Sequence, residues 1–293
     1  MDEEKKKISF IINPKSGTQS KEQILHLLDE KLDKAKYAQE VIYTEYAGHA
    51  VEIAAQKAKE NVHAVVAIGG DGTINEIARS LVHTKTALGI IPCGSGNGLA
   101  RHLQISMEPK KAIEIINEGI IDVIDYGKIN EVPFFCTCGV GFDAFVSLKF
   151  AKAGRRGPLT YLEKTLLESL KYQPETYELE TEDGTLKYKA FLIACGNASQ
   201  YGNNAYIAPQ AMLTDGLLEV HFDGDPMMMG ENIDVKVIKE GLQVIIPRYA
   251  EKDSSNVLQR AQDYINGLKQ INEEIVHKNK MILDKSKEQI KKL

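Results

Sequence analysis

Residues 64–80, AVVAIGGDGTINEIARS, contain the pattern that decides the fold of this chain. The segment begins with small and β-branched apolar residues, passes through a glycine-rich turn, and continues with apolar residues at helical spacing. Short β-branched runs are typical of buried strands, and apolar residues every three or four positions are typical of a helix. The segment therefore predicts a buried strand at 64–68, a turn, and a helix at 73–82.

The same alternation extends through the first part of the chain. Strands are predicted at residues 8–13, 40–44, 64–68 and 87–91, and helices at 21–32, 49–59, 73–82 and 109–118. Strands that alternate with helices form a parallel sheet covered by helices, and such sheets bind ligands at the carboxyl ends of their strands. We therefore expect an α/β fold with a parallel-sheet domain at residues 1–123.

The pattern changes after about residue 122, where strands predominate. Strands are predicted at residues 122–129, 134–138, 176–180, 187–195, 217–222, 233–238 and 242–246, and helices at 143–151 and 159–172. Many strands with few helices between them indicate a β-rich, sandwich-like second domain, which we place at residues 124–250.

A helical tail is predicted at residues 251–293, which contain no proline and one glycine. Its apolar residues follow alternating steps of four and three, a heptad seam that favours association between helices. The seam consists of Val257, Ala261, Tyr264, Leu268, Ile271, Ile275 and Ile282. We expect a homo-oligomer, with packing onto the body of the protein or contact with a membrane surface as alternatives.

Composition excludes several classes of protein. The 293 residues include 36 Lys and Arg against 41 Asp and Glu, a net charge of −5, which argues against general binding of nucleic acid. No apolar run approaches the ~20 residues that span a bilayer. The four cysteines contain no C-x-x-C pair and no zinc spacing. These features predict a reduced cytoplasmic protein.

Three glycine-rich loops follow predicted strands and should lie on one edge of the sheet. They are NPKSG at residues 13–17, GGDGT at 69–73 and PCGSGN at 92–97. Glycine lets backbone N–H groups approach an anion, and a following helix N-terminus favours negative charge. Thr73 and Ser95 add hydroxyl donors. A single loop of this kind is usually only a turn, but three on one edge predict a phosphate site.

The motifs together resemble a known family. NPKSG, GGDGTINE, PCGSGNGLAR, a downstream TDGLLEV and a late DGDP resemble the diacylglycerol kinase catalytic-domain superfamily, over roughly residues 7–247. Its members include bacterial diacylglycerol and related lipid kinases, sphingosine kinases and ceramide kinases. GGDGT alone is shared with NAD kinases, whereas the combination with the other two loops is specific.

The resemblance implies roles for particular residues. ATP would be surrounded by Asn13, Thr44, Gly69, Gly70, Asp71, Gly72, Thr73, Asn75, Glu76, Gly94, Ser95, Gly96 and Asn97. Asp71 would also act in catalysis, near the phosphates and their Mg²⁺. Asp215, with the main-chain carbonyls of Met212 and Leu217, matches the magnesium loop of the family. Asp225 would be the base for the lipid hydroxyl, with Asp223 as the alternative.

The sequence departs from the family near its end. Relatives have further β-structure between the strand after DGLL and the DGEP motif, whereas here LLEV runs directly into HFDGDP. The second domain is therefore expected to be shortened, and Asp225 stands where many relatives have Glu.

A basic, leucine-containing segment at residues 149–172 predicts either docking on anionic headgroups or a solvated turn before a packed helix. The resemblance implies an ATP- and Mg²⁺-dependent lipid kinase, acting on a lipid substrate at the inner membrane surface. The alternatives are a NAD kinase-like enzyme and a nucleotide-binding pseudokinase or scaffold.

Overall fold

The computed structural model describes residues 4–16, 20–141, 175–181, 184–190, 192–219 and 233–248. Four strands begin the fold, namely β1 (Lys6–Ile12), β2 (Tyr37–Tyr43), β3 (Ala64–Gly69) and β4 (Ala87–Pro92). All neighbouring pairs among them are parallel. Every residue of β3 and β4 is buried, as expected for a sheet that is covered on both faces. The parallel sheet predicted from the sequence is confirmed.

Five helices accompany these strands in the described part of the chain. They are α1 (Lys21–Lys31), α2 (His49–Lys59), α3 (Asp71–Leu81), α4 (Gly98–His102) and α5 (Pro109–Glu118). The longer helices pack as two pairs, α1 with α5 and α2 with α3. The apolar residues of α3 and α5 recur on one face, which is buried, so their pattern alone accounts for their orientation. None of the described helices is long and apolar enough to cross a bilayer.

Strands from later in the chain complete the same sheet. β5 (Ile120–Ile129), β6 (Val132–Phe134) and β13 (Val235–Ile246) give a seven-stranded sheet in the order β2-β1-β3-β4-β13-β5-β6. β13 lies parallel to β4 and antiparallel to β5. The sheet therefore includes strands from both sides of position 123, where the sequence analysis placed the domain boundary.

β13 corrects the prediction of separate strands at 233–238 and 242–246. The two runs form one strand, and its register against β5 shifts between Ile238 and Leu242. At this irregularity Glu240 has a φ of 51°, and its backbone N–H donates to the Asp125 carboxylate at 2.7 Å. The irregularity interrupts the apolar pattern along the sequence, while the pairing with β5 continues on both sides of it.

The remaining described strands are short and antiparallel. They are β7 (Thr137–Gly141), β8 (Glu175–Thr181), β9 (Gly184–Ala190), β10 (Leu192–Gly196), β11 (Gln200–Gly202) and β12 (Ala205–Tyr206). The predicted strand at 134–138 is divided between the end of β6 and the start of β7. A small core of Ile129, Phe134, Cys138, Ala194 and Cys195 lies among these strands.

Several predicted features lie outside the described residues. These are the helices at 143–151 and 159–172, the end of the strand at 217–222, the basic segment, the aspartates 223 and 225, and the tail at 251–293.

Candidate functional site

The three loops meet at one edge of the sheet, as predicted; residues 13–16 of the first loop are described, and Gly17 lies outside the described residues. The backbone N–H of Cys93 donates to the carbonyl of Gly69 at 2.7 Å, which joins the second and third loops. Asn13 joins the first loop to the second, because its side-chain amide donates to the Thr73 hydroxyl at 3.4 Å. The carboxyl ends of β1, β3 and β4 thus form one continuous surface of backbone and small polar groups.

Close packing of backbone explains two of the glycines. A Cβ atom added to Gly94 would lie 2.7 Å from the Cα of Gly70, and one added to Gly70 would lie 3.2 Å from the Cα of Gly94. Neither position can carry a side chain unless the two loops move apart. The second and third loops are therefore held in direct backbone contact.

Asp71 connects the second loop to α4. Its two carboxylate oxygens accept hydrogen bonds from the backbone N–H groups of Asn97 and Gly98, both at 2.8 Å. Burial of the carboxylate raises the pKa of Asp71, and this effect exceeds the lowering by the hydrogen bonds from Asn97 and Gly98. Asp71 is exposed as a whole residue. Its carboxylate, which is turned towards these two amides, is the part that is desolvated. Asp71 therefore fixes the position of the third loop.

Asn97 shapes the third loop from within. Its φ of 56° places it in the left-handed region, which Asn tolerates better than most residues. Its side-chain oxygen accepts from the N–H of Gly94 at 3.0 Å, and its side-chain nitrogen donates to the Gly94 carbonyl at 2.7 Å. The buried Asn97 amide thus closes the loop, and Ser95 is left exposed at its tip.

The start of α3 faces open space. A Cβ atom on Gly72 would meet nothing within 4 Å, and Gly70, the N-cap, provides no side-chain hydrogen bond to the helix. The first N–H groups of a helix have no partner within the helix, and its N-terminus favours negative charge. The arrangement fits a phosphate group, because the chain leaves both the space and the donors for it.

The remaining predicted nucleotide residues lie on α3, in the third loop or beside the first loop. The backbone N–H of Thr44 donates to the Ile12 carbonyl at 2.9 Å, which places Thr44 beside the first loop. Glu76 accepts a hydrogen bond from the backbone N–H of Gly48 at 3.3 Å. Asn75 is half-buried on α3. The carbonyl of Gly96 accepts from the Arg101 side chain at 2.9 Å and from the Asn203 N–H at 3.2 Å.

The predicted magnesium loop forms a turn held by its own residues and by β5. One carboxylate oxygen of Asp215 accepts from the Leu217 N–H at 2.9 Å, and Gly216 has a φ of 73°. The described residues contain no group of three or more His, Cys, Asp or Glu side chains that could hold a metal ion. An ion here would depend on Asp215 and on the carbonyls of Met212 and Leu217, and Mg²⁺ accepts such oxygen ligands.

Asp125 and Asn197 are site residues that the sequence analysis did not identify. Asp125 is 3% exposed. Its carboxylate accepts a hydrogen bond from the backbone N–H of Gly216 at 2.8 Å and another from the backbone N–H of Glu240 at 2.7 Å. Asn197 is fully buried and donates to the carbonyls of Asp125 and Phe135, both at 3.0 Å. Asp125 could have been recognised from the sequence, because it is a charged residue within a largely apolar strand.

A second buried pair joins α4 to the chain after β10. The Nδ1 atom of His102 lies 2.9 Å from the Ser199 hydroxyl and accepts from the Ser199 N–H at 2.9 Å. The segment that contains Asn197 and Ser199 therefore links the Asp215 turn, through Asp125, to the helix that follows the third glycine loop. His102 and Ser199 are 97 positions apart, so the spacing of residues along the chain did not predict this contact.

Comparison with known proteins identifies the family. Residues 7–129 match the family model described as the diacylglycerol kinase catalytic domain, and residues 136–225 match the one described as the YegS C-terminal NAD kinase beta sandwich-like domain. The second match confirms the prediction of a β-rich second part.

Curated relatives carry lipid kinase names. A protein of Klebsiella pneumoniae named probable lipid kinase YegS-like is 30% identical over 227 residues, which cover 75% of each chain. A protein of Staphylococcus saprophyticus named diacylglycerol kinase is 29% identical, over 72% of this chain and 71% of its own length. A probable lipid kinase YegS-like of Chromohalobacter salexigens is 34% identical over 59% of this chain, and the matched region spans 58% of that relative.

Solved structures show the same fold. A crystal structure of a putative diacylglycerol kinase from Bacillus anthracis superposes with a TM-score of 0.66 at 18% identity, covering 84% of this chain and 98% of that one. The two family-model matches follow each other along the chain, as the motifs do. The chain therefore belongs to the diacylglycerol kinase catalytic-domain superfamily of lipid kinases.

Proposed function

We propose that this chain is an ATP- and Mg²⁺-dependent lipid kinase that phosphorylates a hydroxyl group of diacylglycerol or of a sphingoid-type lipid. The observation that carries the proposal is the meeting of three glycine-rich loops at the N-terminus of α3, where Gly72 borders open space. The lipid kinase names of the relatives support the substrate class.

In this proposal the glycine loops bind the phosphates of ATP through backbone N–H groups. Thr73 and Ser95 would add hydroxyl donors, and Asn13, Thr44 and Glu76 would also contact the nucleotide. Phosphoryl transfer depends mainly on positioning and on neutralisation of charge. The hydrogen bonds from Asn97 and Gly98 to Asp71 keep the loops in place before the substrate arrives, so little reorganisation accompanies the reaction.

The chain would hold Mg²⁺ through Asp215 and the carbonyls of Met212 and Leu217, with Asp71 near the phosphates. When bound, the ion supplies positive charge that offsets charge on the phosphates. Asp125 orients this turn by accepting the N–H of Gly216 at 2.8 Å. Contact of Asp71 with the ion stays a prediction, because both of its carboxylate oxygens already accept backbone N–H groups.

The acceptor hydroxyl needs a base, and we assign this role to Asp225, with Asp223 as the alternative. A carboxylate placed beside the hydroxyl contributes about 10²–10⁴-fold in rate. The lipid would be reached from the inner membrane surface, where the protein would bind peripherally.

The test is transfer of labelled γ-phosphate from ATP to a panel of acceptors. Diacylglycerol, sphingosine and ceramide in mixed micelles are compared with NAD, with and without Mg²⁺. We expect Mg²⁺-dependent label in one or more lipids. Label in NAD alone would establish a NAD kinase-like enzyme, and ATP binding without any transfer would establish a pseudokinase. A Gly72→Val variant, whose side chain occupies the open space, is the inactive control.

A further inference from the structure

Lys21, the first residue of α1, has a buried ammonium group that the proposed activity leaves unused. Its Nζ atom is buried, and among the described residues no oxygen or nitrogen atom accepts a hydrogen bond from it; the Cys93 sulfur, a weak and uncharged acceptor, is the group beside it. Lys21 acts on the thiol of Cys93, which is 1% exposed. Lys21 lowers the pKa of this thiol, although burial is the larger effect and raises it. The Cys93 thiol is therefore kept protonated and cannot serve as the counter-ion.

An unpaired ammonium in this position is unfavourable in the free protein. Burial of a charge costs free energy unless a partner compensates for it. A positive charge at a helix N-terminus is also opposed by the helix dipole. Lys57 of the same chain shows how a largely buried ammonium is usually compensated. Its side chain is 12% exposed, and its Nζ atom lies 2.8 Å from a Glu40 carboxylate oxygen and 3.0 Å from one of Glu60. Lys21 has no carboxylate of this kind among the described residues.

The position of Lys21 in the fold indicates what kind of group could provide its counter-charge. α1 follows the first glycine loop, and Cys93 belongs to the third loop, immediately before Gly94. The N–H of Cys93 is bonded to the carbonyl of Gly69 in the second loop. The ammonium therefore lies beside the third loop, near the point where that loop is bonded to the second.

We propose that Lys21 binds a phosphate group of the ligand, and that this phosphate provides the counter-charge that the protein lacks. The inference rests on the proposed nucleotide site and adds a binding residue to it. The phosphate could belong to ATP or to the phosphorylated lipid product, and both present the same dianionic chemistry. Because a ligand phosphate compensates a charge that otherwise remains unpaired, Lys21 should weaken the free protein and strengthen the complex.

The experiment compares wild type with Lys21→Met, which keeps the length of the side chain and removes its charge. Calorimetric titrations use four probes: ATP, adenosine, inorganic tripolyphosphate and short-chain phosphatidic acid. We expect the ligand-free variant to melt at the same temperature as wild type or higher. Its affinity for ATP and for tripolyphosphate should fall about 10- to 100-fold, the range for a lost charged hydrogen bond, with adenosine binding unchanged.

Lys31→Met is the matched control, because it makes the same change at the exposed end of the same helix, where Lys31 lies 2.6 Å from Glu30. It should leave the affinity for all four probes unchanged. If only phosphatidic acid binding depends on Lys21, the phosphate belongs to the lipid product. Unchanged binding of every phosphate-containing probe by Lys21→Met, or no binding of any by wild type, would overturn the proposal. Lys21-dependent binding of tripolyphosphate without lipid kinase activity would reject the proposed function alone.

Discussion

Neighbouring glycines in the loops have different physical reasons to be glycine. Gly70 and Gly94 are constrained by the fold, since a side chain on either would contact the backbone of the other. Gly72 has no such constraint, because a Cβ atom there would enter open space and its φ is ordinary for any residue. The fold alone therefore does not require glycine at position 72, whereas the proposed approach of a phosphate to the helix N-terminus would require it.

This difference predicts opposite effects of Gly72→Ala on stability and on binding. Alanine favours a helix over glycine, so the free energy of unfolding should rise by about 0.5–1 kcal/mol. The added methyl group should lower the affinity for ATP about tenfold or more, because it occupies the space for the phosphate. Urea denaturation and calorimetric titration measure the two quantities. Val51→Ala, on the exposed face of α2, is the control and should leave ATP affinity unchanged. Ordinary ATP affinity in Gly72→Ala would mean that the loop is only a turn.

For Asp71 and Asn97 the sequence predicted a shared location but not the hydrogen bonds that join their loops. The resemblance placed both residues around ATP, and in the structure the backbone N–H of Asn97 donates to the Asp71 carboxylate. That Asp71 would accept the N–H groups of Asn97 and Gly98 depends on contacts between residues 26 and 27 positions apart. Spacing along the chain carries no information on such contacts, since they follow from the packing of two loops.

At the scale of elements, the strands and helices of the first part were predictable because each is marked by its own periodicity. The position of β13 was not, because its apolar residues would suit any sheet. Only pairing with β4 and β5 places it in the first sheet. The resemblance assigned Asp215 to the magnesium loop of the family, whereas the attachment of this loop to β5 through Asp125 required the fold.

Asp125 therefore joins three elements, and its removal should be costly. Asp125→Ala would leave the N–H groups of Gly216 and Glu240 without their acceptor, and we expect a loss of ~2–5 kcal/mol in the free energy of unfolding. Hydrogen exchange at these two amides should accelerate as well. Asp122→Ala is the matched control on the same strand, because Asp122 is exposed and accepts only from the adjacent Val123 N–H among the described contacts. It should change stability by less than ~0.5 kcal/mol. Equal losses in both variants would show that Asp125 does not organise the turn.

At the scale of the whole molecule, the sheet determines where the chain can be shortened. β13 lies between β4 and β5, so the proposed nucleotide-binding edge depends on residues near the end of the described chain. Ile246, the last residue of β13, pairs with Ile120, and the Arg248 side chain donates to the Glu118 carbonyl. A truncation that spares the sheet must therefore begin after Arg248.

Removal of residues 251–293 should lower the oligomeric state and leave ATP affinity unchanged. The seam from Val257 to Ile275 is short, and coiled coils of this length are marginal, so the association would need contacts from the body of the protein as well. Light scattering measures the mass, and calorimetry measures the affinity.

Within the full chain, Leu268→Glu places a charge on the seam and should act like the truncation, whereas Gln270→Glu adds the same charge off the seam and should not. Equal masses for the full chain, the truncation and both variants would reject association through the tail. Loss of flotation with anionic vesicles after truncation, sensitive to salt, would then identify the tail as a membrane contact, since its last sixteen residues carry six Lys against two acids.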